Sequence, residues 1–71
     1  MTNTYLLPIQ DPDGIYIQGV VAKNFDEAED KFMRELSDIY DIDEISSWED
    51  FLVSLHNIDV YVGDIYDKEE F

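Results

Sequence analysis

The chain has no cysteine, and among its 71 residues only four are basic, three are glycine and two are proline. Without cysteine, the disulfides that staple many small secreted domains are absent, and so is any thiolate nucleophile. The cytoplasm is therefore the expected compartment. No apolar run approaches the ~20 residues needed to cross a bilayer, and Met1-Thr2-Asn3-Thr4 lacks the basic-then-apolar pattern of an export signal. Four Lys and Arg against eighteen Asp and Glu leave a net charge of -14. Nucleic acid is a poor ligand for such a surface, because phosphate contacts depend on Lys and Arg releasing condensed counterions. An anionic membrane is disfavoured for the same electrostatic reason. The partner to expect is a basic one, and the largest basic surfaces in a cell belong to proteins that hold DNA or RNA.

High charge with few apolar residues would mean disorder, but 45% of this chain is hydrophobic and 14% aromatic, enough for a core. One folded domain, residues 1–71, is expected as a monomer with a stability of only a few kcal/mol, since a short chain buries a small share of its surface. Self-repulsion at low salt lowers it further. The charge is unevenly placed: Asp11 and Asp13 precede residue 26, and the other sixteen acids follow. Lys31 and Arg34 stand three or four positions from Glu27, Asp30, Glu35 and Asp38, where local neutralisation on a helix is possible. The uncompensated acids therefore belong to the second half of the chain.

Tyr5 to Gln10 and Ile15 to Ala22 read as strands around Asp11-Pro12-Asp13-Gly14, a strong hairpin turn. Pro8 has no N–H for a ladder, which places the first strand at an edge or turns that atom to solvent. Asn24 followed by Glu27 has the form of a helix cap. From there Phe25, Ala28, Phe32, Leu36 and Ile39, widened by Met33 and Tyr40, make one apolar stripe that ends near Asp41. Ser46 and Ser47 cap a shorter helix with Trp48, Phe51, Leu52 and Leu55 inward, stopping near Asn57. Ile58, Val60 and Val62 alternate as a third strand, with a bulge at Gly63 that lets Ile65 or Tyr66 keep contact. Residues 67–71 read as a flexible tail. The expected fold is α+β, in the order β-β-α-α-β, with helices on one face of a three-stranded antiparallel or mixed sheet.

Catalytic motifs are missing. His56 is the only histidine, and its place at a helix end suits a donor or cation facing the last carbonyls better than a general base. Paired carboxylates do acid/base work in glycosidases, but among eighteen acids some pair always stands close. Asp11-Pro12-Asp13-Gly14 and Asp41-Ile42-Asp43-Glu44 lack the ligand spacing of a calcium loop. No enzyme, cofactor or metal site is expected. Tyr16, Tyr61 and Tyr66 are candidates for an aromatic patch on the open sheet face, where they would serve as interface anchors.

The acids themselves are the primary candidates. A net charge of about 2 to 8 suffices to keep a small domain soluble, and this chain exceeds it while losing stability to repulsion. Carboxylates four apart on a helix lie about 6 Å apart along its axis, within the range at which phosphates recur along a strand. Asp26 and Asp30, together with Asp38, Asp41, Asp43, Glu44, Glu49 and Asp50, are therefore expected to bind a partner. In size, charge, lack of cysteine and compact α+β plan, rather than in any motif, the chain resembles the small acidic inhibitors of bacteriophages and mobile elements, the anti-CRISPR proteins and DNA-mimicking restriction inhibitors. The resemblance implies that its acids meet Lys and Arg in the nucleic-acid channel of a defence nuclease, in the cytoplasm of the host. Two alternatives stand beside it: an immunity protein or antitoxin against a basic nuclease toxin, and an adaptor that docks through its aromatic sheet face.

Overall fold

The structure, a computed structural model, describes residues 1–42 and 47–70. Strands β1 (Asn3–Asp11) and β2 (Gly14–Ala22) form an antiparallel hairpin, followed by helices α1 (Phe25–Tyr40) and α2 (Trp48–His56) and the short strands β3 (Tyr61–Val62) and β4 (Tyr66–Asp67). A 3-10 turn spans Lys68–Glu70. The fold is α+β, a four-stranded antiparallel sheet in the order β2-β1-β3 with β4 also paired to β1.

Local chemistry accounts for the boundaries. Asp11 Oδ1 accepts from the backbone N–H groups of Asp13 (2.9 Å) and Gly14 (3.0 Å), and Gly14 takes a φ of 148° that a side chain would resist. The Asn24 side chain caps α1 by accepting from Glu27 N at 2.8 Å, and Ser47 caps α2 by accepting from Asp50 N at 3.2 Å. Ser46, the other expected cap, lies outside the described residues. At both helix C-termini an aspartate takes the left-handed conformation usually given to glycine: Asp41 at φ 53° and Asp59 at φ 61°. After α2, Val60 N–H reaches Leu55 O and Asp59 N–H reaches His56 O, the two bonds of a Schellman ending. This ending corrects the third strand, which begins at Tyr61; Ile58 lies in the turn, 42% exposed, while Val60 is buried.

The remaining strand is broken in two, and Pro8 explains the break. β1 is the central strand, which overturns the first of the two positions expected from Pro8, an edge or a nitrogen turned out of the ladder; the missing Pro8 N–H falls between β3 and β4. Val62 pairs with Ile9 and Tyr66 with Leu6, so the three residues Gly63–Ile65 span the two residues Leu7 and Pro8. That extra residue is the expected bulge. Gly63 N donates to Pro8 O at 2.9 Å, and a Cβ on Gly63 would lie 2.8 Å from Pro8 Cγ, so the close approach requires glycine.

Where the tail over 67–71 was expected to begin, Asp67 instead closes β4. Asp67 is 8% exposed, accepts from Asn3 Nδ2 (3.0 Å) and Glu69 N (2.9 Å), and ties the chain end to the sheet. The core lies between the sheet and the helices: Tyr5, Leu7, Ile9, Val20 and Ala22 meet Ala28, Phe32, Leu36, Phe51 and Leu55. α1 packs over β2, and α2 against α1 and β3. Phe25 and Ile39, at the ends of the expected stripe, are 46% and 54% exposed, although the Phe25 ring centroid stays 4.9 Å from that of Tyr5.

Candidate functional site

Two contrasting faces result. On the helical side, Asp26, Asp30, Asp38, Asp41, Glu49 and Asp50 are all exposed. Asp26 and Asp30 share the N-terminal half of α1, Asp38 and Asp41 its C-terminal end, and Glu49 and Asp50 the first turn of α2. Asp43 and Glu44 lie outside the described residues. Among the described residues the ion pair formed is Lys31–Glu27, at 3.4 Å, so the six acids keep their charge uncompensated. Glu49 and Asp50 favour the positive end of the α2 dipole, whereas Asp41 opposes the negative end of α1.

Sequence reasoning passed over Glu29. Its carboxyl is held above the usual value, first by partial burial and then by the charges of Asp26 and Asp30. The three form a knot of like charge on α1, and their spacing of three and four was a readable signal.

The other side of the sheet carries a different chemistry. In β1 and β2 the residues Tyr5, Leu7, Ile9, Val20 and Ala22 face the helices, so Thr4, Leu6, Pro8 and Gln10 share the open face with Ile15, Ile17, Gly19 and Val21. Gln10 pairs with Tyr61 and Leu6 with Tyr66, which adds both tyrosines to this face. They are five residues apart and would point to opposite faces of an unbroken strand. The bulge at Gly63–Ile65 brings them together. No strand residue of this face is charged, while Ile15 is 76% and Ile17 59% exposed. The His56 ring lies against Tyr61, centroids 5.0 Å apart.

Tyr16 is corrected: it belongs to the helical side. Its hydroxyl bonds to Tyr40 at 2.8 Å, and Tyr40 donates to Asp11 Oδ2 at 2.8 Å, a chain that ties the hairpin turn to the end of α1. Burial, then the hydrogen bonds to Tyr16 and Asp11, push the Tyr40 hydroxyl strongly upward, so it stays protonated. Among the described residues no three His, Asp or Glu converge as metal ligands, and no helix is long and apolar enough to cross a membrane. Compared with known proteins, the chain matches no family model, no curated sequence and no solved structure.

Proposed function

We propose that this chain is a protein inhibitor that binds, through the acids of its helical side, the basic surface with which a host defence effector of the CRISPR or restriction type holds nucleic acid. The observation that carries this reading is the segregation of charge. Asp26, Asp30, Asp38, Asp41, Glu49 and Asp50 stand exposed on one side, while the open sheet face has no charged strand residue. A charge that served solubility alone would gain nothing from being gathered on one side. Asp41 closes α1 in a left-handed position, its N–H on Ser37 O, and keeps its side-chain charge exposed at the helix end.

The mechanism is competition. Carboxylates about 6 Å apart on a helix offer Lys and Arg of the effector the charge spacing of a phosphate row, and the complex excludes the nucleic acid. Acids at the rim accelerate encounter, and an acid paired with a desolvated Arg at the centre contributes about 2–5 kcal/mol when its loss is measured. The chain itself turns over no substrate and binds no duplex.

The test is displacement of a fluorescent DNA duplex from purified CRISPR nuclease–guide complexes and restriction enzymes. The wild-type chain should displace it, less well as salt is raised. Reversing the charge at Asp41, Asp43, Glu44, Glu49 and Asp50 together should abolish displacement and leave the circular dichroism spectrum unchanged. Displacement by the five-fold variant with unaltered affinity and salt dependence would sink the proposal. A second reading, docking of another protein on the sheet, is favoured by the uncharged face that Tyr61 and Tyr66 share; it calls for binding that tolerates salt.

A further inference from the structure

Strand β2 is nine residues long and, among the described residues, pairs with β1 alone. Its other edge is open. Two observations show which backbone groups point there. Pro8 gives its carbonyl to Gly63 N and has no N–H, so the facing pair Pro8–Ile17 is not hydrogen-bonded and Ile17 turns its N–H and C=O outward. Val21, of the same parity, offers its carbonyl to Lys31 Nζ instead of to β1. Ile15, Ile17, Gly19 and Val21 therefore present their N–H and C=O groups along the edge.

Three of the four basic residues of the chain gather at one end of this edge, Lys68 lying beyond β4. Lys23 follows β2 directly, and Lys31 and Arg34 border a groove along Gly19, Val20 and Val21; Arg34 and Lys23 form no ion pair among the described residues. Acids occupy the other end. Asp11 and Asp13 form the turn before β2, and α1 runs antiparallel to the strand: Lys31 reaches Val21, Gln18 reaches Glu35, and Tyr16 reaches Tyr40. Asp38, about one turn beyond Glu35, thus stands near the start of β2.

The geometry points to a second copy of this chain as the occupant of the edge, added antiparallel about a two-fold axis at Gln18. Pairing Gly14–Ala22 with itself sets Ile15 against Val21 and Ile17 against Gly19 of the second copy, all four with outward groups. Asp13 then opposes Lys23, and Lys31 with Arg34 faces Asp38 and Glu35 of the second copy. Hydrogen bonding and side-chain alternation are self-complementary in this register, as an isologous interface requires, and charge is complementary at both ends of the strand, while the two Glu35 side chains, each held by Gln18, meet at the axis. Lys31 on the Val21 carbonyl guards a single outward residue at the end of the strand and would exchange that bond and its Glu27 contact for the facing acids. The two helical layers fall on the same side of one continuous sheet, which doubles the acidic surface. This state departs from the monomer expected of so charged a chain.

Sedimentation equilibrium at about 0.15 M salt and about 100 μM protein should give twice the 8.3 kDa of one chain. Ile17→Pro removes an outward donor without touching the β1 ladder and should give a folded monomer. Asp13→Lys, which sets like charges together twice per dimer, should weaken association about tenfold, and Asp13→Lys with Lys23→Asp should restore it. If Ile17→Pro does not fold, the charge exchange decides. A wild-type mass of 8.3 kDa, a dimer that survives Ile17→Pro, or a double variant as weak as Asp13→Lys would each overturn the edge dimer. The readout is mass alone, so its failure leaves the duplex-displacement result standing, and the reverse.

Discussion

The helical side and the open face of the sheet are built by the same hairpin, yet one carries the exposed acids of two helices and the other carries Leu6, Pro8, Ile15, Ile17, Val21, Tyr61 and Tyr66 without a charge. Strand alternation makes this possible, since each residue that enters the core from β1 or β2 sends its neighbour to the opposite face. The helices cover one of those faces only. In a chain of net charge -14, the uncovered face offers another protein strand residues of neither sign. The comparison teaches that the strands keep the open face clear of the charge that the helices, turns and loops carry.

The strongest way to break the comparison is to remove the core that both faces share. Phe32 is fully buried, and Phe32→Ala should cost about 3–5 kcal/mol, enough to abolish a cooperative thermal transition in a domain this small. A variant that still melts cooperatively would mean that the sheet face stands without the helices. Gly63→Ala comes next. Its Cβ would meet Pro8 Cγ at 2.8 Å, and the expected cost is about 1–3 kcal/mol by urea titration, with Tyr66 losing its place beside Tyr61. No loss of stability would show that the bulge yields freely and does not hold the tyrosines together.

Asp59→Gly sharpens the comparison from the helical side. It relieves a left-handed aspartate and removes an acid from the negative end of α2, so stability should rise by about 1 kcal/mol. On the open face, Ile15→Thr should stay within about 0.5 kcal/mol of the wild type, because that side chain is 76% exposed, while retention on a hydrophobic column falls. A large loss of stability would mean that the open face belongs to the folding core.

The smallest effect concerns Glu29. Its carboxyl binds a proton more tightly in the folded state than in the unfolded chain, so the stability it contributes is full below its ordinary value of 4.5 and is lost as pH rises through the folded value. Glu29→Gln should therefore melt higher than the wild type at neutral pH, and the gap should close below pH 4.5. A gap that persists in acid would assign the effect to packing instead of charge.

Much of this was legible in residue order. Asn24, Ser47 and Asn57 marked the helix ends, and Asp11-Pro12-Asp13-Gly14 the hairpin, because caps and turns are satisfied within three or four residues. The third strand was harder. Ile58, Val60 and Val62 alternate as a strand would, but Asp59 took the left-handed position and the Schellman bonds claimed Val60. Pro8 spoke for an edge or for a nitrogen turned out of the ladder, and its central position depends on Gly63, more than fifty residues away. Asp67 looked like tail because Asn3, its partner, stands at the other end of the chain. Tyr16 read like Tyr61 and Tyr66, but it pairs with the buried Ile9 and so shares the helical side of the sheet, where Tyr40 meets it.

Sequence by itself determined the charge, the lack of thiols, the two helices with their apolar stripes, the hairpin and the order β-β-α-α-β, since each depends on propensity or on spacing within a few residues. Tertiary structure alone decided that β1 is central, that β2 is left with an open edge, that a bulge turns Tyr61 and Tyr66 to one face, and that acid and apolar surface lie on opposite sides. Each of these depends on register between segments far apart in the chain, and a shift of one residue in a strand exchanges its two faces.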